Sequence, residues 1–105
     1  MKAILVDDEE KARENLANLL NRYTPEVEVL AKAGSIADAI KAIKNEKPDL
    51  VFLDIEMQGE SGFDLFEYYP EPEFDVIFVT AHDEYAIRAF KFAAADYILK
   101  PIDID

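Results

Sequence analysis

Five short apolar runs constrain the fold of this chain more than any other feature of its sequence. They cover residues 3–6, 27–33, 50–53, 76–79 and 97–99. Three of them are nearly unbroken rather than alternating, which is typical of parallel strands that helices cover on both faces. Strands that alternate with helices along a chain favour a parallel sheet with right-handed crossovers. The sequence therefore predicts an α/β fold with five strands.

Two of the stretches between these runs carry clear helical signatures. After the first run, apolar residues recur at helical spacing until Thr24-Pro25 ends the pattern. A second helix is predicted to begin after the capping residue Ser35 and to end at Lys47-Pro48. Two shorter helices are predicted over residues 63–69 and 84–92.

Composition and charge narrow the range of functions. A chain of 105 residues that is 50% hydrophobic suits one domain with a single core. There is no cysteine and only one histidine, His82, so a metal site would rely on oxygen ligands. The net charge of -12 argues against binding of this segment to nucleic acid or to an anionic membrane. The apolar start is interrupted at Asp7, too early for a signal peptide or a membrane span, and we expect a cytoplasmic protein.

Polar side chains follow four of the five predicted strands. Asp7 and Asp8 follow the first strand, Asp54 the third, Thr80 the fourth and Lys100 the fifth. The carboxyl ends of parallel strands share one edge of a sheet, and ligands bind there where the strand order reverses. These residues would therefore meet if the first and third strands are neighbours.

Three carboxylates at one edge call for a cation. Two carboxylates about 4 Å apart repel by roughly 4 kcal/mol at an effective dielectric of 20, so the cluster requires a cation or raised pKa values. Mg²⁺ is a hard ion that takes oxygen ligands and often combines carboxylates with a phosphate. With Mg²⁺ and Lys100 the cluster would be formally neutral, so a phosphoryl donor could approach a carboxylate nucleophile. An acidic pair such as Asp7-Asp8 more often serves as a helix cap or solvated turn, but the set on four strands favours the functional interpretation.

The order and spacing of these residues resemble the signature of response-regulator receiver domains. The matching segments are Asp7-Asp8, Leu53-Asp54-Ile55-Glu56-Met57, Thr80-Ala81 and Lys100-Pro101. The resemblance implies a flavodoxin-like, doubly wound α/β fold with a five-stranded parallel sheet of order 2-1-3-4-5. The stretches 80–86 and 96–101 are most similar to receivers attached to LytTR-type DNA-binding domains. One departure is Gln58, which stands where many receivers have proline.

The resemblance also implies a role for each carboxylate. Asp54 would be the phosphorylated residue and would share in the metal site. Asp8 would bind Mg²⁺ directly, and Asp7 would act partly through water. The backbone carbonyl of Glu56 would complete the metal site.

Further residues are implied in catalysis and switching. Thr80 and Lys100 would contact the transferred phosphoryl group, and Tyr97 would swing inward as a switch when Thr80 moves. His82 stands where receivers tune hydrolysis of the acyl phosphate, although a solvated loop histidine is an equally good interpretation.

The leading hypothesis is a phosphoacceptor receiver of a two-component system. A histidine kinase would be the donor, and phosphorylation would change contacts with a second copy or with an output domain that regulates transcription. The protein would not be a turnover enzyme, since only transfer to itself and hydrolysis are expected. One alternative is a receiver-like dimerisation or binding module that is never phosphorylated. Another is an aspartate-nucleophile phosphatase, but Glu9 stands where such enzymes have a second aspartate.

Receivers have a fifth helix after the Lys-Pro pair, whereas this sequence stops at Asp105. We therefore expect residues 1–105 to form one receiver domain that lacks its final helix, with an output domain in a longer chain. Without that helix, the fourth and fifth strands would be bare on one face. If the chain ends here, homodimerisation through this face is the expected consequence.

Overall fold

A computed structural model describes residues 1–85, 88–89 and 94–100 of the chain as a five-stranded sheet with helices on both faces. The strands are β1 (Lys2–Val6), β2 (Glu28–Ala33), β3 (Leu50–Leu53), β4 (Asp75–Thr80) and β5 (Asp96–Leu99). All four pairings are parallel, and the spatial order is β2-β1-β3-β4-β5. The predicted α/β class, five strands and strand order are therefore confirmed.

The helices vary more in length than the strands do. They are α1 (Glu10–Tyr23), α2 (Ile36–Glu46) and the single turn α3 (Leu65–Tyr68). The 3-10 turns span Gly62–Asp64 and Asp83–Tyr85, and a small antiparallel hairpin pairs Glu56–Met57 with Glu60–Ser61. The helix predicted over 63–69 is thus partly a 3-10 turn. Most of the helix predicted over 84–92 lies outside the described residues.

Local side-chain chemistry sets the ends of α1 and α2. The hydroxyl of Ser35 accepts a hydrogen bond from the backbone N–H of Asp38 at 3.1 Å, as an N-cap does. Lys47 ends α2 with a left-handed backbone (φ 48°), and Pro48 prevents a further turn. Thr24 ends α1, where both its backbone N–H and its hydroxyl donate to the carbonyl of Leu20. No helix in the described part of the chain is both long and apolar enough to cross a membrane.

Both faces of the central strands β1, β3 and β4 are buried, which explains why their apolar runs are nearly unbroken. One set of alternate strand residues packs with α2 and the aromatic residues after β3, and it comprises Ile4, Val6, Val51, Leu53, Val76 and Phe78. The other set packs beneath α1 and comprises Ala3, Leu5, Leu50, Phe52 and Val79. A strand with both faces covered has no solvent side, so its sequence does not alternate.

The face beneath α1 is less completely covered towards β5. Ile77 and Ile98 pack against this cluster but stay partly exposed. Residues 101–105 lie outside the described part of the chain. Homodimerisation through this face remains a prediction.

Gly62 marks the closest approach of two backbone segments near the end of β3. Its N–H donates to the carbonyl of Ile55 at 2.6 Å. A Cβ at this position would lie 2.1 Å from the carbonyl oxygen of Asp54, far inside van der Waals contact. Gly62 is therefore required so that the segment after β3 can fold back on Asp54.

We expect Gly62→Ala to lower the free energy of unfolding by about 3 kcal/mol, because backbone atoms cannot move aside as a flexible side chain can. The matched control is Gly59→Ala. Gly59 has a positive φ of 77° but nothing within 4 Å of an added Cβ, so its loss should be only about 1 kcal/mol. Urea denaturation measures both, and equal losses would contradict this account.

Candidate functional site

The backbone ladder of the sheet fixes three of the predicted site residues at one edge. The N–H of Asp7 donates to Ala33 O at 3.0 Å, and that of Asp54 donates to Val6 O at 2.9 Å. The N–H of Lys100 donates to the carbonyl of Thr80 at 2.8 Å. Asp7, Asp54 and Lys100 thus each stand one residue beyond a strand, held by the neighbouring strand.

The three predicted carboxylates meet at this edge. Asp7, Asp8 and Asp54 each offer an oxygen atom, and the three atoms lie within 4.8 Å of one another. Asp7 and Asp54 are buried, at 8% and 7% exposure, whereas Asp8 is exposed. Two of the three carboxylates are therefore largely shielded from solvent, and the third is open to it.

Lys100 balances the two buried carboxylates. Its Nζ lies 2.6 Å from Asp7 Oδ2 and 3.2 Å from Asp54 Oδ2. Burial alone would lower the pKa of Lys100, but its hydrogen bond to Asp7 and the charges of both aspartates outweigh burial and raise it. Lys100 is therefore a fixed positive charge shared between the two groups.

One ammonium does not fully offset the cost of burying Asp54. Burial raises the pKa of this carboxyl, Lys100 lowers it, and repulsion from Asp7 raises it again, with a net increase. The hydroxyl of Thr80, which is completely buried, lies near Asp54 and lowers the pKa of its carboxyl. The charged form of Asp54 would thus gain stability from further positive charge.

Asp8 is held by the small hairpin after β3. Its Oδ2 accepts a hydrogen bond from the backbone N–H of Gln58 at 2.7 Å. Proline at this position has no N–H and could not make this bond. The same hairpin reaches α2, since Glu60 Oε2 accepts from the N–H of Ile36 at 3.0 Å. Neither contact was predicted from the sequence, because the pattern of apolar and polar residues does not indicate a hairpin with strands of only two residues.

Arg13 is a further residue that the sequence analysis missed. Its Nη1 donates to the backbone carbonyl of Asp7 at 2.6 Å, from the second turn of α1. The available signal was a basic residue soon after the acidic pair, on the helix that the pair introduces. Arg13 lies on a helix, so the pattern of charges at the strand ends does not include it.

A network of charged and aromatic side chains forms the rim of the site. His82 Nε2 lies 2.8 Å from Glu56 Oε2, and its Nδ1 lies 3.3 Å from Glu84 Oε1. The hydroxyl of Tyr85 donates to Glu56 Oε1 at 2.5 Å, and this bond raises the pKa of Tyr85. Glu56 and His82 also line an open cavity of about 450 Å³ that contains Asp54 and Lys100. His82 is therefore engaged with both glutamates.

Tyr97 is connected to the site through His82. The Tyr97 hydroxyl donates to the backbone carbonyl of His82, and its ring centroid lies 6.2 Å from that of Phe78. The backbone N–H of His82 in turn donates to Thr80 Oγ1 at 3.4 Å. A chain of contacts thus runs from Asp54 through Thr80 and His82 to Tyr97.

Comparison with known proteins places the chain among signalling proteins. The sequence model of the response regulator receiver domain matches residues 3–105. An uncharacterized response regulatory protein of Vibrio cholerae is 45% identical over 106 residues, which cover 100% of this chain and 44% of that protein. The sensory transduction protein LytT of Enterococcus faecalis is 44% identical over 106 residues, which cover 98% of this chain and 43% of that protein. The chain therefore spans less than half the length of these relatives.

Solved structures agree in fold over nearly the whole chain. The response regulatory domain of mrkE from Klebsiella pneumoniae superposes with a TM-score of 0.86 at 33% identity, covering 98% of this chain and 85% of that one. The response regulator TrrA from Thermotoga maritima, in complex with Mg(2+)-BeF, gives a TM-score of 0.83 at 30% identity, covering 99% and 90%. These matches agree with the aspartates, threonine and lysine that lie together at the sheet edge. This chain belongs to the response regulator receiver domain family.

Proposed function

We propose that this chain is a phosphoacceptor of a two-component system, which takes a phosphoryl group on Asp54 in a Mg²⁺-dependent step. The observation that carries the proposal is the buried carboxylate of Asp54, which shares Lys100 with Asp7 and contacts Thr80. The relatives named sensory transduction protein LytT support a signalling role.

The donor set of the site suits Mg²⁺. The carboxylates of Asp7, Asp8 and Asp54 supply hard oxygen ligands close together, and the exposed Asp8 gives an ion access from solvent. The backbone carbonyl of Glu56 is our proposed fourth protein ligand. When bound, the ion would add the positive charge that this acidic cluster lacks and would offset charge on phosphoryl oxygens. The complex of TrrA with Mg(2+)-BeF supports this choice of ion.

The chemical step would be a transfer between a phosphohistidine and a carboxylate. An oxygen of Asp54 forms a bond to phosphorus while the bond from phosphorus to the donor imidazole breaks, and the imidazole leaves with its electron pair and takes up a proton. Lys100 would stabilise oxygens of the transferred group from its present position between Asp7 and Asp54. Thr80 would donate its hydroxyl to another of these oxygens.

The signal would leave the site through the contacts of Thr80. If Thr80 turns towards a phosphoryl oxygen, its hydroxyl moves relative to the N–H of His82, whose carbonyl holds the Tyr97 hydroxyl. Phosphorylation would therefore bias the position of Tyr97 and the surface around β5. In a longer chain of the kind these relatives have, that surface would meet a second receiver or a DNA-binding output domain.

Acetyl phosphate with Mg²⁺ should add one phosphoryl group to the chain, because the site itself supplies the catalytic groups. Intact-protein mass spectrometry should show this gain in the wild type and in Asp75→Asn, whose aspartate lies exposed at the start of β4. Asp54→Asn should show none, and neither should wild type without Mg²⁺. A folded wild-type chain that gains no mass would favour a receiver-like module that is never phosphorylated.

Asp54→Asn should stabilise the Mg²⁺-free protein at neutral pH by about 1 kcal/mol, as substitutions of a destabilising active-site group often do. Because the folded pKa of Asp54 is raised, the wild type loses stability as pH rises from the ordinary pKa of aspartate through the raised value. The difference in stability between the two proteins should disappear below the ordinary pKa of aspartate, where Asp54 is protonated in both the folded and the unfolded state. Urea denaturation across this pH range measures it, and a less stable Asn variant at pH 7 would contradict the burial argument.

Lys100→Gln should lower the free energy of unfolding by about 2 kcal/mol at pH 7, because it leaves Asp7 and Asp54 without their shared ammonium. Added Mg²⁺ should restore part of the loss, since it supplies positive charge to the same carboxylates. Lys44→Gln, at an exposed position in the last turn of α2, is the control and should change little. Thermal denaturation with and without Mg²⁺ makes the comparison, and an effect equal to that of the control would count against the pairing.

A further inference from the structure

We propose that Arg13 is a positioning residue of the phosphoacceptor site, which orients the Asp7-Asp8 pair so that both carboxylates can bind a divalent cation. The inference rests on the proposed function, because it concerns the same Mg²⁺ site. It adds a residue that neither the family signature quoted above nor the strand-end pattern includes.

The first observation is the atom that Arg13 contacts. Its Nη1 donates to the carbonyl oxygen of Asp7 at 2.6 Å. That oxygen belongs to the peptide group that joins Asp7 to Asp8, so the bond fixes the plane from which both side chains project. A charged donor to a carbonyl is among the stronger hydrogen bonds. Arg13 therefore holds the link between the two aspartates rather than either carboxylate.

The second observation is the space that the chain leaves for this guanidinium. Gly34 follows β2 directly, and a Cβ there would lie 3.3 Å from Nη1 of Arg13. The backbone of Gly34 does not have the positive φ that favours glycine. Glycine at position 34 is therefore explained by the room that the Arg13 guanidinium needs, and not by a special backbone conformation.

The other hydrogen bonds of Asp7 and Asp8 show why the bond from Arg13 to the Asp7 carbonyl matters. Asp7 Oδ1 accepts from the N–H of Glu9 at 2.9 Å, and Asp7 Oδ2 accepts from Lys100. Asp8 Oδ2 accepts from the N–H of Gln58. These donors hold the outer ends of the two side chains, whereas Arg13 holds the backbone between them. With all of these contacts in place, the pair is oriented before an ion arrives.

Arg13 and Lys100 therefore have different effects. Lys100 contacts carboxylate oxygens of Asp7 and Asp54, including the proposed acceptor. The described contact of Arg13 is to a carbonyl, so it leaves the carboxylate oxygens available to a metal ion. Loss of Arg13 should weaken cation binding while leaving the maximal phosphorylation rate at saturating Mg²⁺ nearly unchanged.

The test is a Mg²⁺ titration of the whole chain, followed by NMR shifts of the backbone amides around the site and by calorimetry. Arg13→Ala should raise the Mg²⁺ dissociation constant about tenfold, the lower range seen when a group that orients metal ligands is lost. Arg13→Lys should recover most of the affinity, because an ammonium can still donate to the carbonyl. Arg22→Ala, in the last turn of the same helix, is the control and should bind as the wild type does.

The rate of phosphorylation by acetyl phosphate, measured against Mg²⁺ concentration, separates positioning from general damage. In Arg13→Ala the half-saturating Mg²⁺ concentration should rise about tenfold with the maximal rate within about twofold of wild type. Gly34→Ala keeps the guanidinium but crowds it, and should raise the dissociation constant by a smaller factor than Arg13→Ala does. If Arg13→Ala does not fold, Arg13→Lys and Gly34→Ala provide the test.

Three results would overturn the inference, and they are distinguishable. Unchanged Mg²⁺ affinity in a folded Arg13→Ala chain, or in Gly34→Ala if that variant must stand in, removes the positioning role while the proposed function survives. A large fall in the maximal rate at saturating Mg²⁺ would give Arg13 a role other than positioning the cation ligands. A wild-type chain that binds no Mg²⁺ overturns the proposed function, and the inference falls with it.

Discussion

The register between β1 and β3 is the constraint on which the site depends. It pairs Val6 with Leu53, so that the next residue of each strand is an aspartate, and it buries both carboxylates side by side. Lys100 enters from the end of β5 and bonds both. A shift of one residue would move these side chains to other faces of the sheet. The apolar runs that set this register therefore also set the chemistry.

The fold was predictable where one physical pattern dominates. Short apolar runs identified the five strands, and the cap at Ser35 and the stop at Lys47-Pro48 located α2. The segment after β3 was less predictable, because its course depends on the contact of Gly62 with the backbone of Asp54. That contact joins residues close in sequence through a tight turn of the backbone. Neither the spacing of apolar residues nor helix and strand propensities predict it. A 3-10 turn consequently replaces the start of the helix predicted over 63–69, and a hairpin precedes it.

The residues expected to meet were predictable because parallel strands end at a common edge. The structure brings together Asp7, Asp8, Asp54, Thr80 and Lys100, while the chemical roles of these residues remain proposals. The supporting contacts were not predictable, since the side chains of Arg13, Asp8 and Glu60 each bond a backbone group of another element. Such contacts depend on the exact placement of helices and loops against the sheet. The site is thus an acidic edge whose aspartates accept or adjoin hydrogen bonds from α1 and from the hairpin.

The most direct test of the account is an NMR comparison of the chain with and without beryllofluoride, a phosphoryl mimic, in the presence and absence of Mg²⁺. We expect four amide resonances to shift together only when beryllofluoride and Mg²⁺ are both present: those of Asp54, Thr80, His82 and Tyr97. This would show that a phosphoryl-like group is held by Asp54 and that its effect reaches Tyr97. Resonances that do not change in a folded chain, or that change equally in Asp54→Asn, would contradict the central claim.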